Sequence, residues 1–161
     1  MFLIVMGTPK IGTSKEGKPM HYSVGAIISR INPDTSSKEY FLIDRKKEPF
    51  GWAGIAGHID EDDLSPEAAA KREIIEESGR GFQILQLEHL AEEEIPWNTC
   101  SRGVNCHYWH LFTAEIRGEA YPKPDEIKRS RWFSIENIKK LTDEDKLEPV
   151  WKYWFEKLSI I

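Results

Sequence analysis

Apolar residues in this chain fall into short blocks with two different periods. MFLIVM (1–6) reads as an opening strand, and the polar stretch GTPKIGTSKEGKP (7–19), with its glycines and prolines, reads as a loop. HYSVGAIIS (21–29) has the near-continuous apolar character of a buried strand. INPDTSS makes a turn, and EYFLID (39–44) is a second strand carrying aromatic and β-branched residues. After the loop RKKEPFG, WAGIAGHID (52–60) is a short strand interrupted by glycines. The period then changes. Ser65 followed by Pro66 is an N-cap with proline at the first helical position, and Glu67 lies in an acidic first turn. The helix runs through EAAAKREIIEES, and Gly79 is its natural stop. FQILQLEHLAEEEI (82–95) supplies one or two strands and CHYWHLFTAEI (106–116) another. RWFSI (131–135) begins as a strand and passes at Ser134 into a short helix, SIENIKKL. A last helix carries Leu147, Val150, Trp151, Trp154, Phe155 and Leu158 at i, i+3, i+4, i+7 spacing. The order predicts a mixed sheet with helices on both faces, in the α/β (α+β) class.

Composition narrows the function classes. A chain of 161 residues, 40% hydrophobic and 30% charged, suits a single domain (1–161) with a sizeable core. A formal net charge of −5 argues against holding a nucleic-acid polymer nonspecifically, so a small anionic substrate would need local cations or a metal. Two cysteines fit a reducing compartment, and the apolar start is too short for a signal peptide. The expected location is the cytoplasm, with no membrane contact. The Trp151/Trp154/Phe155 stripe is expected to dock on the sheet, with a homodimer contact as the alternative.

The helix poses a chemical question. Glu73, Glu76 and Glu77 share one face, where like charges three and four residues apart cost a few tenths of a kcal/mol per pair, roughly. Ile74 and Ala70 form an apolar stripe on another face. Either the anionic face is simply solvated, or a doubly positive ion sits on it. Converging carboxylate oxygens completed by water are what Mg²⁺ or Mn²⁺ requires. Gly57, just upstream, would let the backbone approach the same spot, with its carbonyl as a further ligand.

GHIDEDDLSPEAAAKREIIEESGR (57–80) resembles the signature of the Nudix hydrolases, G-x5-E-x7-R-E-U-x-E-E-x-G-U with U aliphatic. Gly57, Arg72, Glu73, Glu76, Glu77 and Gly79 fall on matching positions. The resemblance extends over residues 20 to 140 and implies that family's αβα sandwich. It departs in two places: the segment between Gly57 and Arg72 is one residue longer, so the middle glutamate falls on Asp63 or Leu64, and Arg80 stands at the final aliphatic position. The resemblance implies Mg²⁺- or Mn²⁺-dependent hydrolysis of a nucleoside diphosphate linked to another group. In that reading Glu76 and Glu77 are metal ligands, Glu73 a ligand or the general base, and Arg72 a positioning residue. A further carboxylate from a loop before a Trp-containing strand is matched by Glu126 in PKPDEIKRSRW. Pro96 lies where a proline is sometimes linked to ADP-ribose preference, a lean shared with (d)NTP-like nucleotides. The alternative is a non-catalytic nucleotide-binding or regulatory domain; such domains usually lose these carboxylates, and here they are kept.

Other residues invite assignment. Arg45, at a strand end, can reach a phosphate. Trp52 and Trp97, like Phe50 and Trp109, offer ring faces to a base, although the six tryptophans of this chain read more plainly as core and helix-docking residues. CSRGVNCHYWH (100–110) holds two cysteines and two histidines, which suggests zinc. Strand alternation, however, sends His107 and His110 to opposite faces, and the cysteine spacing is wide. Structural or substrate-contacting histidines are expected there, and His58 is read as structural.

Overall fold

The computed structural model describes residues 7–161, so the strand expected over 1–6 lies outside the described residues. Among the described residues, eight strands form one mixed sheet, threaded through β2 (Pro19–Ile31). Along one edge β2 runs parallel to β7 (His107–Gly118), from His21↔His107 to Ser29↔Glu115. Along its other edge it pairs antiparallel in succession with β1 (Ile11–Thr13), β5 (Ile55–His58) and β3 (Lys38–Arg45). β4 (Trp52–Ala53) and β8 (Ile127–Ser134) pair with β3, and β6 (Phe82–Ile95) closes the far side against β7. Residues Val24 and Ala26 to Ile28 of β2 are all buried, as befits a strand covered on both faces.

Three helices supply that cover: α1 (Pro66–Glu77), α2 (Ile135–Asp143) and α3 (Pro149–Lys157). Ser65 caps α1 by accepting from Ala68 N; Ala69 and Ala70 pack with Val24, Ile59 and Phe112, while Ile74 joins the larger core cluster. The opposite face receives α3. Its Trp151, Trp154 and Phe155 are almost wholly buried, and Trp109 meets Trp151 edge-on at 6.1 Å. Burying each such ring contributes about 2–3 kcal/mol. The stripe is thus used within the chain, as expected. Glu148 caps α3, its carboxylate accepting from the amides of Val150 and Trp151, both at 3.3 Å.

Two boundaries differ from the sequence reading, and one open alternative is decided. Within 7–19, Ile11–Thr13 pairs with Pro19–His21 across a tight turn, where Gly17 adopts φ +78° and Ser14 N donates to Lys18 O. The 82–95 segment is one strand with register shifts at Ile84/Gln86 and His89/Ala91, and Leu85 and Leu90, skipped by the ladder, are left exposed. β8 begins at Ile127, four residues before the expected start. No helix among the described residues is long and apolar enough to cross a membrane.

Candidate active site

Alternation along β5 decides what meets α1. Gly57 pairs with Val24, and a Cβ placed on Gly57 would lie 2.1 Å from the Glu73 carboxyl carbon. A side chain there would displace Glu73; glycine lets the carboxylate rest against the strand. The anionic face of α1 is therefore not a solvated side separate from the buried one. The Glu73 side chain is only 13% exposed, whereas Glu76, at the rim, is 57% exposed.

Arg72 holds this face together. Its Nε and Nη2 donate to the two carboxylate oxygens of Asp63, at 3.1 and 2.8 Å, a bidentate pair. Nη1 donates to Glu73 at 2.8 Å and to Glu76 at 3.4 Å, and Nη2 also reaches the carbonyl of His58 at 2.9 Å. The Asp63 bond, ahead of the other contacts, holds the guanidinium well above its usual pKa. Of the two residues on which the middle acid could fall, Asp63 faces Arg72, while Leu64 is 97% exposed.

Burial pushes the Glu73 carboxyl up to about 7, against the opposing pull of Arg72. Glu77 is driven well above the usual carboxylate range, chiefly by burial and then by Glu73; Arg45 and the Ala56 amide act against this, and Glu126 adds to it. Among the described residues, Glu77 Oε2 is buried without a hydrogen-bond partner. An orphaned anionic acceptor among further carboxylates is costly unless a cation completes it. An all-oxygen donor set of this charge fits a hard divalent ion such as Mg²⁺ or Mn²⁺.

The remaining expected residues divide. Glu126 is exposed on the loop before β8, close enough to influence Glu77. Arg45 also acts on Glu77, but its Nε donates to the carbonyl of Pro49 at 2.8 Å, which anchors it to its own loop. Trp52 is not a base platform: it is buried, with one ring contact to Phe133 at 4.8 Å and Arg129 over its ring. Trp97 is half exposed but leans on Tyr153 of α3, on the side away from α1. Phe50 is exposed beside a groove of about 320 Å³ that it shares with Glu48, Pro49, Thr99, Cys100 and Ser101. Trp109 is core, its Nε1 donating to Asn98 Oδ1 at 2.7 Å.

Sequence reasoning missed one assembly. His21, His58, Cys100 and His107 converge on the other face of β5. Only His107 and Cys100 share a sequence window; strand pairing brings the other two. Burial lowers the pKa of all three histidines, that of His58 to about 4.

Comparison with known proteins agrees with this fold. The NUDIX domain family model matches residues 20–155. No curated protein matches the chain. Among solved structures, RenU, a Nudix hydrolase from M. smegmatis, superposes with a TM-score of 0.64 at 16% identity, covering 93% of this chain and 92% of that one. A MutT/nudix family protein from Enterococcus faecalis gives 0.59 at 24% identity over 70% of this chain, which spans only 43% of that protein's length. The NUDIX domain of Shewanella oneidensis NrtR, crystallised with ADP ribose, gives 0.55 at 18% identity over 74% of this chain and 75% of that one. With the family's domain matched over most of its length and the REIIEE helix set against Gly57, the chain belongs to the Nudix hydrolase family.

Proposed function

We infer that the protein hydrolyses a pyrophosphate bond in a nucleoside diphosphate linked to another group, using Mg²⁺ or Mn²⁺. The observation that carries this reading is Glu77 Oε2, a buried carboxylate oxygen with no partner among the described residues, on a helix whose Glu73 carboxylate rests against Gly57 of β5. Glu73, Glu76, Glu77 and Glu126, with the Gly57 carbonyl, would hold the ion. When bound, the cation neutralises charge on the phosphate oxygens and activates water.

The chain's own residues do the positioning. Arg72 fixes Glu73 and ties α1 to the 57–63 loop, so the carboxylates need little reorganisation when substrate arrives. Glu73 serves as a ligand or as the base for the attacking water. Arg45 supplies a cation beside Glu77 for a substrate phosphate. Asp63, paired with Arg72, occupies the role of the acid that the longer loop had displaced, which weakens the alternative of a non-catalytic nucleotide-binding domain. The substrate leaning is to ADP-ribose or (d)NTP-like nucleotides, and one structural neighbour was crystallised with ADP ribose.

The test is turnover with Mg²⁺ on dNTPs, ADP-ribose, sugar nucleotides and dinucleoside polyphosphates, following released phosphate or nucleotide, with Glu77→Gln as control. Turnover of one class that disappears in the variant is expected. Near-normal activity in Glu77→Gln would sink the assignment.

A further inference from the structure

The side of β5 opposite the acidic helix carries the His21, His58, Cys100 and His107 cluster, in which one ligand atom from each residue lies within 4.8 Å of the others. The sheet assembles it. His21 and His107 are directly opposed in the parallel β2–β7 pair and so share a face; His58 is opposed to Ser23, two residues along β2 on that same face. Cys100 comes from the 96–105 loop, held in a tight turn by Cys100 N donating to Val104 O at 3.0 Å.

Two of the distances are close to those of a tetrahedral metal site. His58 Nε2 and His107 Nε2 are 3.4 Å apart, and Cys100 Sγ is 3.8 Å from His21 Nδ1. Usual zinc bond lengths at tetrahedral angles put two nitrogen ligands about 3.3 Å apart and a nitrogen and a sulfur about 3.6 Å apart. The widest separation within the cluster needs side-chain shifts of roughly 1 Å to close on one ion. An outer partner is already present. His107 Nδ1 donates to the carbonyl of Asn98 at 2.7 Å, which fixes the tautomer and leaves Nε2 with a lone pair towards the cluster. Asn98 is itself buried and braced by Trp109.

We propose that His21, His58, Cys100 and His107 bind one structural Zn²⁺, which staples the 96–105 loop to β2, β5 and β7. Three imidazoles and a thiolate are a borderline-soft set suited to zinc rather than to the hard cation of the acidic helix. Four protein ligands leave no open position, so the ion is structural rather than catalytic. The thiolate brings negative charge to a neighbourhood that also feels Arg102 and Arg45. The stapled loop contributes Thr99, Cys100 and Ser101 to the groove shared with Glu48–Phe50, so zinc would set the shape of one wall. The second His-rich group, His89, Glu92 and His110, is largely exposed and its histidines already face the Glu92 carboxylate at 3.5 and 3.2 Å, so it offers no comparable cage.

The experiment uses tag-free full-length protein, loaded with equimolar ZnCl₂, passed over gel filtration and analysed for metal by mass spectrometry, with a parallel Co²⁺-exchanged sample. One zinc per chain is expected. The Co²⁺ form should show tetrahedral visible bands and a near-ultraviolet thiolate-to-cobalt band. Cys100→Ser should lose the thiolate band and most of the zinc. Cys106→Ala should keep both, because that thiol faces Glu94 instead. Wild-type protein that retains no zinc would overturn the proposal without reference to how any variant folds. So would a thiolate band that survives Cys100→Ser, or zinc lost from Glu77→Gln but not from Cys100→Ser, which would place the ion on the acidic helix.

Discussion

Gly57 and His58 are consecutive, yet they belong to two different kinds of chemistry. Gly57 faces α1 and the Glu73 carboxylate; His58 faces two further histidines and a cysteine on the opposite side of the sheet. The α1 side is built from one contiguous helix, so its donors are fixed by i, i+3, i+4 spacing and its charge is concentrated. The His58 side is gathered from three strands and a loop, and its donors are neutral or soft. Hard oxygen donors leave room for water and substrate around a cation, whereas a closed nitrogen–sulfur set leaves none. The comparison teaches that a strand's two-residue period can keep two chemically different donor sets apart while sharing the same backbone.

The strongest way to break the comparison is Glu77→Gln. Removing this carboxylate should lower kcat with Mg²⁺ at least about a hundredfold, the scale on which preorganised charge-stabilising groups act. The same variant in EDTA should melt no lower than wild type, since it removes charge from a crowded buried site; a large drop in Tm would mean that Glu77 is structural. Next is Gly57→Ala, whose Cβ collides with Glu73. Activity should fall about 10–100-fold, as for other residues that position metal ligands. Its zinc content should not change, because the new methyl lies on the α1 side.

Cys100→Ser tests the opposite face. It should cost several degrees in Tm, on the order of 2 kcal/mol, while lowering kcat less than Gly57→Ala does. Differential scanning fluorimetry and initial rates on the same samples would separate the two effects.

Acid and base act on the two faces with opposite sign. Glu73 has a folded pKa raised to about 7 by burial, and burial also holds Glu77 well above the usual carboxylate range. Their contribution to stability is fully present below the unfolded carboxylate pKa and is lost as pH rises through the folded values, on the order of 1 kcal/mol per pH unit for each proton. The histidines are lowered, His58 to about 4, so their contribution is present above the unfolded histidine pKa and is lost as pH falls through the folded one. In metal-free protein the slopes oppose each other between the carboxylate range and neutrality. Denaturant melts in EDTA at several pH values should show a steeper rise with pH in Glu77→Gln and a shallower one in His58→Gln. Identical slopes in both would contradict the burial of these groups. The smallest effect is expected from His89→Gln, an exposed member of the second histidine group, which should leave stability within about 0.5 kcal/mol and zinc content unchanged.

The sequence by itself determined the elements whose logic is local. The Ser65–Pro66 start and Gly79 stop of α1, the shared face of Glu73, Glu76 and Glu77, and the docking stripe of α3 follow from helical spacing and capping, and they are found where that spacing puts them. Alternation correctly separated His107 from His110. What it could not supply was the partner strand, because register is set by contacts between residues far apart in the chain. Only the tertiary structure set His21 opposite His107, returned β5 to bring His58 beside them, and curled the 96–105 loop so that Cys100, rather than Cys106, faces the cluster. Trp52 shows the same limit: aromatic character marks a residue as suited either to a core or to a base, and only burial behind Phe133 decides between them. The charge of Glu77 was legible; its buried oxygen, without a partner among the described residues, was not, since desolvation depends on everything packed around an atom rather than on its neighbours in sequence.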